Sequence, residues 1–434
     1  MALLSPWVAL LRRLDPNVPA SDEQYEEPGY SCAGRIADQI LSDPAGRFKY
    51  LLIGARGGGK SSELRRIARL IREHRLLVDI NLDASQINAL TIGADDLAYL
   101  CGVGLLRHMR SHPQAEAFFH ELKAAYTDGE DPDELGSLQD ALEGLATFSL
   151  AAGAAAEVGG LAPGGSVAGA VVAGVMGKFI ALLPRRDRLV TEESPQGRRI
   201  IQALQNIVRS LRDQNRPPPV LLVDGLEKMN GESAERLVAV FQYTRLLADL
   251  PLAAVYAAPP STLTVTNSLE SVGWRTRVVW GFGAKGADRL VRVMERRFRT
   301  EDLDPVKKVE AGLLLQIATA SGGIPRHTME ICSYAVDNAR FRGSDRLEAT
   351  DVQAATLQRA QELGRGLHEE HIATLKKVLS VGLLPGSDSA ARLFTDGRIL
   401  AVPPDEAPEP VGQRFRVHPL LEAWVRGLST TSQG

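Results

Sequence analysis

The chain has 434 residues, of which 44% are hydrophobic and 24% are charged, and its formal net charge is −3. This composition is typical of a globular protein with about two or three domains, and it argues against a protein whose whole surface binds nucleic acid. The three cysteines, Cys32, Cys101 and Cys332, follow no metal-ligand spacing, which favours reduced thiols in a cytoplasmic protein.

The N-terminal segment "MALLSPWVALLRRLDP" carries its arginines after the apolar stretch. Because a secretory signal has the opposite order and a small-residue cleavage site, this segment predicts a short amphipathic helix. Farther along the chain, "RFKYLLIGARGGGKSSELRRIARLIREH" predicts a buried strand, a glycine-rich loop and an amphipathic helix.

The glycine-rich loop fits the pattern G-x-x-x-x-G-K-[ST] from Gly54 to Ser61. Glycines let successive backbone N–H groups face a phosphate, and the following helix begins there with its positive end. Lys60 supplies a charge for the β- and γ-phosphates, and Ser61 supplies a hydroxyl for Mg²⁺. The residues predicted to contact the nucleotide are Gly54, Ala55, Arg56, Gly57, Gly58, Gly59, Lys60, Ser61 and Ser62.

A second strand, "LLVDINL", and a helix, "ADDLAYLCGVGLLRHM", come next. Residues from about 112 to 195 are predicted to form an insertion, with a Gly/Ala-rich part at 151–183. Its uncharged stretch "VGGLAPGGSVAGAVVAGVMG" is long enough to span a bilayer, but Pro163 and the many glycines disfavour a membrane helix. We therefore expect a buried or mobile insertion, and keep insertion into lipid as an alternative.

Regular patterns return after the insertion, in the order helix, strand "VLLVDG", helix and strand "LAAVYAA". This alternation predicts an α/β fold with a parallel sheet and helices on both faces. Asp224 ends one strand, where strand ends gather around a ligand, so it is the candidate carboxylate for the metal. Glu227 is the candidate to orient or deprotonate an attacking water, the alternative being that it only begins the next turn.

Three helices are predicted after residue 300, and the second of them opens with "SGGIPRH". Arg326 lies in its first turn and can reach a γ-phosphate if this helical lid folds over the nucleotide; the alternative is a solvated arginine. From residue 364 to the end the pattern predicts helix, helix, strand, strand and helix, which suits a small winged-helix-like module with "APEPVG" as its wing loop. His418 leads into the last helix, and we expect it to be structural.

The motifs "GARGGGKS", "VLLVDGLEK" and "SGGIPR", in this order before the winged-helix-like tail, resemble the AAA+ superfamily and its branch of origin-recognition-type and STAND ATPases. The resemblance implies a P-loop NTPase core over residues 1–300, a helical lid over 301–363 and a winged-helix-like domain over 364–434. It implies that Gly54 to Ser61 are the Walker A motif, that Asp224 is the Walker B aspartate, and that Arg326 is the sensor-2 arginine. ATP and Mg²⁺ are the implied cofactors, and Tyr25 or its neighbours would flank the adenine.

The chain departs from the pattern of many AAA+ motors at Gly225, where those motors have the catalytic glutamate. An acid at Glu227 is more similar to the variants of STAND ATPases. The sensor-1 position has only Ser261 and Thr262 as substitutes, after two prolines. These departures favour slow turnover. No arginine finger is assigned: Arg296, Arg297 and Arg299 are available, and each is equally consistent with surface charge.

The resulting hypothesis is an ATP-driven switch, in which the lid closes on the nucleotide and copies of the chain assemble or a separate effector protein docks. Bacterial ATPases of this general look often occur in signalling or antiphage-defence operons, and the resemblance implies such a role. One alternative is a loader or initiator that reads DNA with its winged helix, which we do not favour because residues 364–434 show no basic recognition helix. The others are a membrane-acting ATPase that uses the Gly/Ala-rich insertion, and a scaffold that binds ATP without hydrolysing it.

Overall fold

The computed structural model describes residues 6–16, 26–43, 45–82, 92–127, 137–146, 191–228, 232–299, 309–310, 312–404, 406 and 414–430. Tyr25, the Gly/Ala-rich part at 151–183 and the expected wing loop "APEPVG" lie outside these residues. Among the helices that the structure describes, none combines the length and the apolar character needed to cross a membrane. All three cysteines are free thiols.

Contacts between residues divide the chain into two units. We call the first the sheet unit; it comprises Cys32–Ile53 and Glu63–Arg277. We call the second the C-terminal unit; it comprises Met1–Ser31, the loop Gly54–Ser62 and Val278–Gly434. The predicted division of the chain at residues 300 and 363 stays a prediction.

A five-stranded sheet has the strand order β2-β3-β4-β1-β5. Strands β2, β3, β4 and β1 pair in parallel with their neighbours, and every residue of β1, β3 and β4 is buried. Fully buried strands are typical of a parallel sheet covered by helices on both faces, so the predicted α/β class is confirmed. The strands are β1 (Lys49–Ile53), β2 (Leu76–Asn81), β3 (Pro219–Asp224), β4 (Ala253–Ala257) and β5 (Arg275–Val278).

The register of the sheet brings the carboxyl ends of its central strands into line. Asn81 at the end of β2 pairs with Asp224 at the end of β3, and Val223 pairs with Tyr256 of β4. On the other side of β4, Leu52 of β1 pairs with Ala257. Ligands of open parallel sheets bind at this carboxyl edge.

Helices of the sheet unit pack around this sheet and enclose one large apolar core. Ser194 caps the N-terminus of helix α7: its hydroxyl accepts a hydrogen bond from the Gly197 N–H. Helix α7 packs against α4 and α5. Helices α5 and α6 occupy the first part of the predicted insertion. The helices are α2 (Ala33–Ser42), α3 (Lys60–Ile71, which begins inside the glycine-rich loop), α4 (Ala94–Arg107), α5 (Ala115–Thr127), α6 (Leu138–Ala146), α7 (Pro195–Asp213), α8 (Glu232–Tyr243) and α9 (Thr266–Val272).

The C-terminal unit has its own core, to which the N-terminal helix α1 contributes Trp7 and Leu10, and the residue that follows this helix contributes Leu14. Its tail has the predicted order helix, helix, strand, strand, helix, and the two strands pair antiparallel, with Ile399 opposite Val417. The elements are α1 (Pro6–Arg13), α10 (Ala287–Phe298), α11 (Leu313–Ala320), α12 (Pro325–Phe341), α13 (Ala349–Gly364), α14 (Glu369–Val381), α15 (Asp388–Thr395), β6 (Ile399–Val402), β7 (Arg414–Val417) and α16 (Pro419–Thr430).

Candidate phosphate-binding site

The glycine-rich loop runs from Gly54 to Ser62, directly after β1. Gly57 and Gly59 have φ angles of +79° and +106°, in the left-handed region that side chains disfavour. The Gly58 N–H donates to the Ala55 carbonyl at 3.1 Å, which closes a tight turn within the loop. The backbone conformation therefore favours glycine at positions 57 and 59.

Lys60 is the charged group of the loop, and its side chain is only 3% exposed. Its Nζ donates to the carbonyls of Gly54 at 2.7 Å and Ala55 at 3.0 Å. A phosphate in the loop would offer this ammonium a charge-assisted hydrogen bond, which is stronger than a bond to a neutral carbonyl. Ser61 and Ser62 lie half-buried at the start of α3, where the positive end of the helix favours an anion.

Arg326, in the first turn of α12, lies against the loop. Its N–H donates to the Gly57 carbonyl at 3.4 Å. A Cβ atom added to Gly57 would lie 2.2 Å from the Arg326 Cβ and 2.8 Å from its Cδ. The backbone and side-chain stem of Arg326 thus approach Gly57 so closely that no other residue fits at that position.

A second helix of the C-terminal unit contacts the same loop. The Arg56 N–H donates to the carbonyl of Thr395, the last residue of α15, at 3.0 Å. Sequence reasoning missed Thr395, because this contact uses a backbone carbonyl and leaves no signal in the side chains. Backbone hydrogen bonds therefore join the loop to two helices, α12 and α15, that come much later in the sequence.

In the sheet unit, Asp224 and Glu227 are both buried, with 3% and 5% exposure. The Gly225 N–H donates to Asp224 Oδ1 at 3.0 Å and to Glu227 Oε2 at 3.1 Å, so one donor holds both carboxylates. Glu227 lies in a 3-10 turn, Leu226–Lys228. The structure therefore brings together the two acids that the sequence singled out near the end of β3.

Gly225 directly follows Asp224, and the structure explains why this position holds a glycine. Its φ is +93°, and a Cβ there would lie 1.8 Å from the Leu82 carbonyl oxygen. The β2–β3 ladder continues past the strand ends, since the Leu82 N–H donates to the Asp224 carbonyl at 2.9 Å. A side chain at position 225 is excluded by the neighbouring strand, so an acid is accommodated only farther along the turn.

Two more polar atoms lie at the carboxyl ends of the strands. Asn81 Oδ1, on the residue paired with Asp224, is buried without a hydrogen-bond partner, and so is Ser261 Oγ after β4. The Thr262 hydroxyl instead donates to the Pro259 carbonyl at 2.6 Å. Buried polar atoms without a protein partner are rare and indicate a missing water, ion or ligand. Asn81 was missed by the sequence analysis, although a polar residue at the end of a buried strand is a usable signal.

Ser61 and Asp224 each carry a hard oxygen, the kind of ligand that Mg²⁺ prefers. Among the residues that the structure describes, there is no cluster of three or more His, Cys, Asp or Glu side chains that could hold a metal.

The other charged candidates have contacts within the C-terminal unit. Arg297 is 4% exposed and donates to the Arg13 carbonyl at 2.6 Å, and Arg296 pairs with Glu26 at 2.9 Å. His418 is fully buried, and its Nε2 lies 3.1 Å from His327 Nδ1 and 3.1 Å from the Ser321 carbonyl oxygen. These contacts are consistent with the expected structural role of His418, and they hold Arg297 against the N-terminal segment.

No protein-family model matches the chain, and no curated protein does. Among solved structures, the chain is similar to the Aeropyrum pernix ORC2 protein in its ADP form, with 14% identity, 97% of each chain covered and a TM-score of 0.41. It is also similar to Drosophila ORC bound to DNA, with 14% identity, 96% of this chain and 89% of the other covered, and a TM-score of 0.39. A third similar structure is the Thermotoga maritima RuvB Holliday junction branch migration motor, with 14% identity, 96% and 98% covered, and a TM-score of 0.38. The chain's own strand, glycine-rich loop and helix, together with its parallel sheet, give an α/β fold with the strand–loop–helix arrangement of a P-loop.

Proposed function

We propose that this chain binds ATP with Mg²⁺ at the loop Gly54–Ser62, hydrolyses it slowly, and uses the nucleotide state to control self-assembly or the binding of an effector protein. The observation that carries this proposal is the state of the loop: its buried Lys60 is held by loop carbonyls, while α12 and α15 contact its backbone. A phosphate entering the loop acts on all three contacts.

In the proposed complex, loop N–H groups and Lys60 bind the β- and γ-phosphates, and Ser61 and Asp224 supply oxygens to Mg²⁺. ATP supplies the metal's remaining ligands together with water. The side-chain stem of Arg326 lies beside Gly57, at the loop itself, which supports a role for its guanidinium at a terminal phosphate. The absence of a guanine-reading N-K-x-D motif from the sequence supports ATP over GTP.

For hydrolysis, Glu227 orients or deprotonates the water that attacks the γ-phosphorus. The bond between that phosphorus and the β–γ bridging oxygen breaks, and ADP and phosphate leave. Lys60 and Arg326 offset the charge that accumulates on the phosphate oxygens. Glu227 shares the Gly225 N–H with Asp224 instead of following Asp224 directly, which supports slow turnover.

The coupling to a partner runs through α15. The Arg56 N–H is bonded to the Thr395 carbonyl, and it is one of the loop donors that a phosphate would attract. Since one N–H cannot serve both acceptors at full strength, nucleotide binding weakens the hold on α15 and frees the winged-helix-like tail to contact a second copy or an effector. A place in bacterial signalling or antiphage defence is the biological setting that we propose.

A DNA-reading loader or initiator is the alternative that we favour less. In α16, Arg426 pairs with Glu422 at 2.6 Å, so this helix presents a neutralised pair and not a basic face. The described part of residues 364–430 supports a protein partner better than a nucleic acid. Salt-dependent retention of the full chain on duplex DNA would reverse this preference.

The experiment that tests the proposal measures ATP turnover and molar mass by light scattering, with and without ATP·Mg²⁺. Wild type is compared with Lys60→Ala, which removes the phosphate contact, and with Glu227→Gln, which removes the acid. We expect ATP to raise the mass or to release a partner-binding form in wild type and Glu227→Gln, but not in Lys60→Ala. If wild type neither binds ATP nor turns it over, the proposed function is wrong.

A further inference from the structure

Glu330 lies one helical turn after Arg326 on α12, so the two side chains share a face of the helix. Burial raises the pKa of this carboxyl group, and the charges of Arg359, Arg326 and Arg56 oppose the rise. The arginines come from three places: α13, the first turn of α12, and the phosphate-binding loop itself. One carboxylate therefore lies in the field of three guanidinium groups.

Arg359 holds this carboxylate from the neighbouring helix. Its Nη2 lies 2.8 Å from Glu330 Oε2, and both side chains are largely buried, at 14% and 17% exposure. The contact is an ion pair that is not aligned as a hydrogen bond, since Glu330 Oε2 has no hydrogen-bond partner. Arg359 also pairs with Glu362 at 3.1 Å, and the Tyr334 hydroxyl donates to Glu362 at 2.9 Å. The network thus ties α12 to α13.

Arg359 contacts both Glu330 and Glu362, whereas Arg56 and Arg326 act on Glu330 through their charges. Because Arg359 already pairs with Glu330, the attraction that remains for Arg326 is weaker than in an isolated pair. A phosphate in the loop offers Arg326 a further negative charge, and Arg359 keeps Glu330 in place when Arg326 turns toward it.

We propose that Glu330 is a positioning residue, whose carboxylate, held by Arg359, sets where the Arg326 guanidinium stands for the terminal phosphate of ATP. This inference rests on the proposed function, since it needs ATP in the loop. It assigns Glu330 no contact with the reacting atoms: Glu330 acts through Arg326 alone. It also makes Arg359 the residue that keeps the buried Glu330 carboxylate paired when Arg326 turns toward the phosphate.

The test is a double-mutant cycle between Glu330→Gln and Arg326→Ala, measured on kcat and KM for ATP and on the Kd of ADP. We expect Glu330→Gln to lower kcat about tenfold and to change the Kd of ADP less than about threefold, because Arg326 is misplaced only for the terminal phosphate. Glu330→Asp should recover part of the loss. In the Arg326→Ala background, Glu330→Gln should have no further effect.

The matched control is Asp337→Asn, which removes an acid from an exposed ion pair with Arg340 on the same helix. It should leave kcat and KM unchanged, and thermal melting should show that all variants fold. If Glu330→Gln does not fold, Glu330→Asp takes its place in the cycle. Equal losses with and without Arg326, or no loss at all, would overturn the inference.

The outcomes separate this inference from the proposed function. If wild type hydrolyses ATP, Lys60→Ala does not, and the cycle is additive, only the role of Glu330 is wrong. If wild type binds ATP without turnover, the cycle is measured on the ratio of the Kd values for ATP and ADP. A non-additive cycle then supports the role of Glu330, and an additive cycle overturns it. If wild type does not bind ATP, the proposed function fails and the role of Glu330 fails with it.

Discussion

Asp224 and Glu227 share one hydrogen-bond donor, the backbone N–H of Gly225, at 3.0 and 3.1 Å. Both carboxylates are buried, so their mutual repulsion is not relieved by bulk water. A bound Mg²⁺ would offset the negative charge of Asp224. Glu227 would then be available to accept a hydrogen bond from a water molecule. The two acids are therefore expected to respond differently to substitution.

Glu227→Gln keeps the shape and the acceptor oxygen of the side chain but removes its basicity. We expect ATP turnover to fall about 100-fold while the Kd of ATP changes less than about threefold. Asp224→Asn should instead raise the Mg²⁺ concentration needed for half-maximal binding. Steady-state turnover and Mg²⁺ titrations check both expectations. Glu235→Gln, on the exposed part of α8, is the control, and equal turnover in Glu227→Gln and wild type would remove Glu227 from catalysis.

Gly225→Ala tests the close approach of β2 to the turn after β3. The added Cβ would lie 1.8 Å from the Leu82 carbonyl oxygen at a φ of +93°, so we expect the free energy of unfolding to fall by about 4 kcal/mol or more. Gly273→Ala is the matched control: its φ is +108°, but nothing lies within 4 Å of the added Cβ. It should cost only about 1 kcal/mol. Urea denaturation measures both, and equal losses would mean that only backbone strain matters.

The parts of the site that were predictable from the sequence are those carried by neighbouring residues. Lys60 and Ser61 follow their glycines at fixed spacing, and Asp224 directly ends an apolar run. Asn81 and Thr395 were not predictable in the same way, because strand pairing and helix packing bring them to their places. Position 225 requires glycine because the Leu82 carbonyl, directly after β2, lies so close to it, and no pattern in the residues around Gly225 shows this contact.

The strand order has the same origin. Alternating strands and helices predict a parallel sheet, but not that β4 lies between β3 and β1. That arrangement is set by crossover connections and by which apolar faces fit together, which depends on residues far apart in the chain. The class of the fold therefore followed from the sequence, and the neighbours of each strand came from the structure.

The buried pair His327 and His418 should make the protein sensitive to acid. Burial lowers the pKa of His418 to about 3 and that of His327 well below its ordinary value. Below about pH 6.5 the two histidines bind protons in the unfolded chain but stay neutral in the folded protein. The free energy of unfolding therefore falls as the pH falls. Two such histidines cost about 4 kcal/mol between pH 7.5 and 5.

Urea denaturation across that pH range measures this loss. His418→Gln should reduce the slope of stability against pH, whereas His74→Gln, at an exposed position, should leave it unchanged. A stability that stays constant from pH 7.5 to 5 would show that the pair takes up protons in the folded state.

Ser261 and Thr262 give opposite expectations although they are neighbours of similar chemistry. Ser261 Oγ is buried without a hydrogen-bond partner, whereas the Thr262 hydroxyl donates to the Pro259 carbonyl at 2.6 Å. Ser261→Ala removes an atom that only a ligand or water can use, so we expect lower ATP turnover, by about tenfold, at unchanged stability. Thr262→Val removes the bond that closes the turn, so we expect a loss of about 1 kcal/mol in stability at nearly unchanged turnover. Turnover and urea denaturation of both variants distinguish the two roles. If Thr262→Val lowers turnover and Ser261→Ala does not, the sensor-1 position belongs to Thr262. Its hydroxyl would then have to leave the Pro259 carbonyl when ATP binds.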